Sequence, residues 1–329
     1  MKNFFLMKKF TSGVLPLVLT FGILFINIKS EAQDDELEDI AGHWEVGVTG
    51  GANTFLGDLG GNRGKGQTFI KDFNAPTTKP FVGVFADYFP YSWLAVKLAF
   101  NYTTVTGADS LIKNTNDLER WRYYRNLSFR SRILEGSINA DVYPVMIFDK
   151  NVEIHKISPY IGFGLGLFHF NPQTYYQGKW VDLRPLHTEG EGFSGTNTYT
   201  DARTGKTVSV PYAKQYSLLG VYIPVTLGVK FYFDNTFALS VGVTFRHTFT
   251  DYIDDVHGYY VNQSAFDQNL SPTQAALAKQ LSGYSQSRTP WKVHPALLRA
   301  DGTQNDSYTN IFLTLSVRFG NGPKFYYGG

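Results

Sequence analysis

The sequence of 329 residues contains no cysteine. Without a thiol, a disulfide framework, a thiolate zinc site, a cysteine nucleophile and a lipid-modified cysteine anchor are all excluded. Methionine is scarce at 3 residues, whereas glycine, phenylalanine and tyrosine number 32, 27 and 21. This composition favours β-structure over helix.

Long apolar runs are confined to the start of the chain. Lys2, Lys8 and Lys9 precede an apolar stretch over residues 14–28, and Ser-Glu-Ala follows at residues 30–32. This order predicts a secretory signal peptide over residues 1–32. A membrane-spanning anchor is the alternative, because residues 10–28 are almost long enough to cross a bilayer.

The chain also lacks an excess of either charge. Its formal net charge is +2, and removing residues 1–32 leaves 26 basic and 27 acidic residues. A nearly neutral surface offers little to neutralise phosphates. We therefore expect no nucleic-acid partner.

Eight segments alternate apolar residues with polar or small ones. They cover residues 44–53, 81–88, 93–103, 134–142, 160–168, 222–233, 239–248 and 309–319. Each is close to ten residues long, which is the length of a transmembrane β-strand. The pattern predicts an all-β fold, an antiparallel transmembrane β-barrel of about eight strands over residues 44–319.

The connections separate this prediction from a soluble β-sandwich, whose strands also alternate. Short connections at 89–92, 144–158 and 234–236 alternate with long ones at 54–80, 104–126, 170–217 and 249–308. Short periplasmic turns and long outer loops are typical of barrels in the bacterial outer membrane, where lipid surrounds the wall. Residues 33–43 then form a periplasmic arm and residues 320–329 a periplasmic tail.

Aromatic residues cluster at the strand ends assigned to the periplasmic side. They predict an aromatic girdle at that membrane interface. Its members are Trp44, Tyr88, Phe89, Tyr91, Trp93, Tyr143, Tyr232, Phe233, Phe237 and Phe319.

The polar strand faces collect four acids and four bases. They are Glu45, Asp87, Glu135, Asp141, Lys97, Lys230, Arg246 and Arg318. Because an eight-stranded barrel is filled by its own side chains, we expect a plug of buried ion pairs. A proton or ion path is the alternative. Glycines 162, 164 and 166 share the same inward face and predict room for bulky neighbours.

No motif predicts a catalytic, cofactor or metal site, and we expect no enzyme. The glycine-rich segment 60–66 lacks the spacing of a phosphate loop. Asp251, Asp254 and Asp255, with Asn262 nearby, could bind calcium, but solvated or capping acids fit better. His169 and His247 lie near the outer rim, as a lipid-modifying barrel would require, without an organised partner. One helix is expected at residues 274–281.

Three segments resemble the PorG-like outer-membrane barrels of Bacteroidetes, components of the type IX secretion system. They are residues 51–59, residues 125–131 followed by Glu135, and residues 249–256 followed by Tyr259 and Tyr260. The resemblance implies a non-enzymatic barrel of the secretion and gliding machinery. It also implies contact with a periplasmic ring lipoprotein and its partner protein. A surface adhesin or receptor acting through the outer loops is the alternative.

Two local hypotheses complete the prediction. Val145, Met146 and Ile147 within the link 144–158, together with the tail, would form the periplasmic docking surface. Arg130 and Arg132 share the parity of lipid-facing Leu134, so either strand four rises above the membrane there or a bulge changes its register. We expect the strand to extend above the membrane, with both arginines beside the outer loops.

Overall fold

The period-two alternation becomes long antiparallel strands. In chain order the strands are β1 His43–Leu56, β2 Lys79–Tyr91, β3 Leu94–Ala108, β4 Ser128–Val142, β5 Ile157–Tyr176, β6 Lys179–Asp182, β7 Thr196–Thr200, β8 Thr207–Pro211, β9 Leu219–Tyr232, β10 Phe237–Thr248 and β11 Ser307–Phe319. This computed structural model describes residues 42–59, 75–112, 120–148, 157–200, 204–233, 236–283, 287–288, 293–300 and 302–319. All of these lie within one unit, Ile40–Gly329.

Eight of the strands close on themselves. β1 pairs with both β2 and β11, and β4 pairs with β5, so that β1 to β5 and β9 to β11 each have two antiparallel neighbours. Closure gives each of these eight strands a partner on both sides and leaves no open edge among them. The prediction of an eight-stranded antiparallel barrel is confirmed.

The two faces of the wall differ as predicted. Outward side chains are large, apolar and exposed, including Val48 at 57%, Leu134 at 61% and Leu227 at 60%. Inward neighbours such as Glu45 and Glu135 are buried. A wall that is apolar on its outside and polar within fits lipid around it rather than water.

Several strands run past their predicted outer ends. β3, β4 and β5 continue to Ala108, Ser128 and Tyr176, and β5 then pairs with β6. The pairing of β4 with both neighbours stays in register past Arg132 and Arg130. No bulge changes the face of these arginines, which leaves strand extension as the explanation for their outward position.

Short helices lie in the connections: α1 Arg120–Arg125, α2 Val145–Phe148, α3 Gln263–Asn269 and α4 Pro272–Leu281. The predicted helix at 274–281 is confirmed as α4, whose N-cap Ser271 accepts a hydrogen bond from the Gln274 amide at 3.4 Å. α3 was not expected, although Asn262 caps it in the same manner. No helix in the described part of the chain is both long and apolar enough to span a membrane.

The aromatic strand ends divide between two roles. Trp44, Tyr91, Phe233, Phe237 and Phe319 are exposed on the outside, as a girdle requires. The girdle prediction is wrong for three members that fill the inside of the barrel instead, because their positions have inward parity. These are Phe89, Tyr143 and Tyr232.

Candidate functional site: the lumen and the outer mouth

The charged plug predicted for the lumen is present. All eight residues project inward, and seven of them are buried; Lys97 retains a side-chain exposure of 18%. They form three layers along the barrel axis, and each layer pairs acids with bases.

The periplasmic layer centres on Glu45. Its carboxylate contacts the Lys230 ammonium, lies 3.3 Å from Nη2 of Arg318 and accepts a hydrogen bond from the Ser316 hydroxyl at 3.0 Å. The ammonium also lies 4.8 Å from the ring centre of Phe89, in the aromatic cluster that fills this end. Packed rings and paired charges together occupy the periplasmic end of the lumen.

The middle layer centres on Lys97. Its Nζ lies 2.5 Å from Asp141 and 3.8 Å from Asp87. A cavity of about 60 Å³ lies beside it, lined by polar groups that include Asn101 and Thr226. The cavity has room for a few waters.

The outer layer centres on Glu135, one of the residues of the resemblance. Its carboxylate lies 2.7 Å from Nη2 of Arg246, accepts from Asn101 Nδ2 at 2.9 Å and accepts from the Tyr308 hydroxyl. A carboxylate held by three donors has a fixed position.

The three inward glycines create the space that was predicted. A Cβ at Gly166 would lie 2.2 Å from the ring of Tyr222, and one at Gly162 would lie 2.3 Å from Asp141 Oδ1. At Gly164 it would lie equally close to the side chain of Asn139. The glycines therefore admit the side chains that plug the lumen.

The segments of the resemblance meet above the outer layer, in what we call the mouth cluster. Arg125 joins them: its Nη2 donates to the carbonyl of Asp58 at 2.7 Å, and its Nη1 donates to the carbonyl of Arg299 at 2.8 Å. The guanidinium also forms a two-bond pair with Asp109, at 2.8 and 3.0 Å. The buried guanidinium has no nitrogen without a hydrogen-bond acceptor, because Nε, Nη1 and Nη2 each donate to an oxygen.

The third segment enters the same cluster through its acids. Asp254 Oδ2 accepts from the Leu59 amide at 3.0 Å, and Asp306 Oδ2 accepts from the Ile253 amide at 2.9 Å. Apolar side chains of all three segments share one core beneath these bonds. That core includes Phe55, Leu59, Leu127, Phe129, Ile253 and Val256.

The acids at 251, 254 and 255 are buried, so the expectation of solvated carboxyls is wrong. The capping alternative holds for Asp254, whose Oδ1 accepts from the Val256 amide at 3.0 Å. Burial and the neighbouring carboxylates raise the pKa of Asp251 to about 12, and burial raises the pKa of Asp255 to about 6. In the described part of the chain, no three acid, histidine or cysteine side chains converge as metal ligands.

A shell of loop elements covers the mouth cluster. Arg299 links the shell to the cluster through Glu189 at 2.9 Å and the Asp255 carbonyl at 2.9 Å. The antiparallel hairpin of β7 and β8 and the helices α3 and α4 belong to this shell. A cavity of about 330 Å³ opens between the hairpin and the 257–259 segment, lined by Tyr212 and Tyr259 among others.

Other predicted positions lie apart from this site. His169 and His247 both project from the outer face of the wall rather than into the mouth. Segment 60–66, the arm 33–41, most of the link at 149–156 and the tail 320–329 lie outside the described residues. Within the link, Met146 is buried in the aromatic cluster at the periplasmic end, so it cannot serve as an exposed docking residue, while Val145 and Ile147 are half-buried.

No family model and no curated protein matches this chain. Several solved barrels align along most of it. The N-terminal β-barrel domain of Pseudomonas aeruginosa OprF has 8% identity and a TM-score of 0.32, covering 85% of this chain and 98% of that one. Neisserial surface protein A has 8% identity and a TM-score of 0.34, covering 84% and 97%. The outer membrane protein OprG of P. aeruginosa has 11% identity and a TM-score of 0.31, covering 85% and 97%.

The assignment to the outer membrane rests on the barrel itself. Its strands are closed, its outer wall is apolar and its interior is polar. These are the features of a bacterial outer-membrane barrel.

Proposed function

We propose that this protein is a non-enzymatic, non-conducting component of the type IX secretion and gliding machinery, held in the outer membrane by its barrel. The mouth cluster carries the proposal. Three segments that are far apart in the sequence, and that carry the resemblance, contact one another through Arg125, Asp254 and a shared apolar core. Contact among the three segments favours an architecture shared with the PorG-like barrels over a chance likeness of short motifs.

The filled interior of this barrel also suits a membrane anchor better than a pore. Ion pairs occupy three layers of the lumen, and the mouth cluster lies above them. We expect purified protein in planar bilayers to give no steady single-channel steps. Large reproducible steps would contradict the non-conducting part of the proposal.

Partner contact is tested by two matched loop variants of the full chain, expressed in a bacterium that has this machinery. One replaces residues 149–156 with a Gly/Ser turn and leaves Met146 in its core. The other replaces the β7–β8 hairpin, Thr196–Pro211, with a similar turn. We expect the periplasmic lipoprotein and its partner to stop co-purifying with the first variant alone. Migration on unheated gels should show that the barrels of both variants are folded.

The surface adhesin or receptor remains the second candidate, and the shell favours it. The hairpin and the 257–259 segment frame the cavity of about 330 Å³ on the outer side. Tyrosines at its wall suit recognition. Loss of a bound partner in the hairpin variant, with the link variant unaffected, would replace the secretion proposal with this one.

A further inference from the structure

The outer wall of the extended β4 carries two cations just above the apolar belt. Arg132 and Arg130 follow Leu134 at two-residue intervals on the outward face, while the intervening Ile133 and Ser131 are fully buried. Each interval is about 7 Å along a strand, so Arg132 lies one step beyond the lipid-facing leucine. This places its guanidinium where the hydrocarbon ends and headgroups begin.

The two arginines are held differently. The Arg130 guanidinium stacks 3.6 Å from the ring centre of Trp180 and donates from Nη2 to Gln173 Oε1 at 2.7 Å. Arg132 is exposed and makes neither a hydrogen bond nor an ion pair to any described residue. One arginine is therefore fixed by the protein, and the other is available.

The acid on this wall, Asp182, forms no ion pair with either arginine and is bound by amide groups instead. Asp182 Oδ1 accepts from Asn171 Nδ2 at 3.0 Å and from Gln173 Nε2 at 2.6 Å. Asn171 in turn pairs across the strands with Arg132. The wall thus presents two neighbouring positive charges and one carboxylate that is held by amide groups, with aromatic rings beside them at Trp180 and Tyr175.

We propose that Arg132, with Arg130 beside it, binds the phosphate group of an outer-leaflet lipid headgroup. An arginine fork matches phosphate oxygens, and aromatic residues occupy the same interfacial depth. A lipid is the occupant because the site faces the bilayer on the same wall as Leu134. The inference rests on the membrane position of the barrel and is independent of any secretion role.

The test uses full-length protein in phosphatidylcholine nanodiscs that contain a small fraction of phosphorylated lipid A or its dephosphorylated form. Native mass spectrometry counts the lipid retained on the released barrel. We expect wild type to retain the phosphorylated form about tenfold better, and Arg132→Gln to lose most of that preference. Arg132→Lys should retain part of it, because a single ammonium keeps the charge without the fork.

Lys179→Gln is the matched control. It removes one positive charge from the same sheet extension, where Lys179 pairs with Tyr176 on the opposite face from Trp180. We expect it to behave as wild type. Equal loss in both glutamine variants, or no preference in wild type, would overturn the proposal, as would full displacement of the lipid by millimolar inorganic phosphate.

Discussion

The lumen and the mouth cluster both bury carboxylates, but they balance them in different ways. In the lumen, Glu45, Asp87, Glu135 and Asp141 each lie within 3.8 Å of a lysine or arginine nitrogen. At the mouth, acids such as Asp254 and Asp306 are held mainly by backbone amides. Burial and mutual repulsion raise the pKa of both of these mouth acids well above the ordinary value.

The contrast assigns different tasks to the two regions. Paired charges of opposite sign compensate one another when they are desolvated together, and removing one partner leaves the other uncompensated. Buried acids next to one another favour a protonated state, because burial and the neighbouring carboxylates outweigh the backbone amides, so their stabilisation depends on pH. The lumen is expected to be a permanent plug, and the mouth a cap that can loosen by itself.

Breaking a lumen pair should have the largest effect. Glu45→Gln removes the charge that faces Lys230 and Arg318 and leaves two buried cations without their acid. We expect the free energy of unfolding to fall by about 3–5 kcal/mol, measured by urea unfolding in lipid vesicles. Lys279→Gln, which breaks the partly exposed pair with Asp267, should cost less than about 1 kcal/mol. Equal losses would show that lumen pairing is unimportant.

Removing the joining arginine of the mouth should have a smaller and local effect. Arg125→Met removes the guanidinium that donates to Asp109 and to the carbonyls of Asp58 and Arg299, and leaves Asp109 only the Leu127 amide. We expect the local opening free energy of the mouth to fall by about 3 kcal/mol, read as faster hydrogen exchange in segments 120–127 and 251–256.

The barrel strands serve as the internal reference for this variant, and Lys206→Gln in the exposed hairpin is the external control. Exchange that accelerates equally in β1 and β11 would mean that the cluster and the barrel unfold together. That result would remove the distinction between a permanent plug and a separate cap.

The sequence predicts the lumen well and the mouth cluster poorly. Period-two alternation located all eight barrel strands and the inward set of charges, because lipid outside and polar groups inside leave a local signal. Strand ends were missed where polar residues occupy the outward face, as at Arg132. Inward aromatics such as Tyr143 were assigned to the girdle, because position near a strand end does not reveal parity.

The mouth cluster has no such local signal. Asp58, Arg125 and Asp254 come from three connections and meet only because the barrel brings their strand ends together. The acids at 251–255 looked solvated in the sequence because their burial depends on a shell built from residues elsewhere. The resemblance marked these segments without indicating that they touch.

Raising the pH should separate the two regions without any substitution. Because the pKa of Asp251 is raised to about 12 and that of Asp255 to about 6, the folded mouth binds more protons than the unfolded chain above pH 4. Its stability is therefore greatest at low pH and falls as pH rises. Between pH 5 and 8 the raised pKa of Asp255 alone accounts for a local loss on the order of 1–2 kcal/mol in exchange corrected for intrinsic rates, and Asp251 adds a loss of the same sign.

Asp251→Asn tests the cause, since the amide mimics the neutral acid and still offers an oxygen to His257, whose Nδ1 lies 2.8 Å from the carboxylate. We expect a weaker pH dependence of exchange at 251–256 in this variant. An unchanged slope would show that Asp251 is not one of the groups responsible, and a slope of opposite sign would contradict the raised pKa values.

The smallest effect is expected in the shell above the mouth. Ser271 caps α4 by accepting from the Gln274 amide, and its hydroxyl lies 2.8 Å from the Gln274 side-chain oxygen. Ser271→Ala removes that cap and should cost about 1 kcal/mol, because one amide at the helix start loses its acceptor. Buried Ala275, Ala278 and Leu281 attach the helix to the shell, so fraying at its start should speed exchange there.

Thr273→Ala is the control, because Thr273 lies exposed in the same first turn and is not the cap, and we expect it to cause no loss. If Ser271→Ala instead accelerated exchange at Arg125 and Asp254 as well, shell and mouth would be a single cooperative unit, and the cap could open only as a whole.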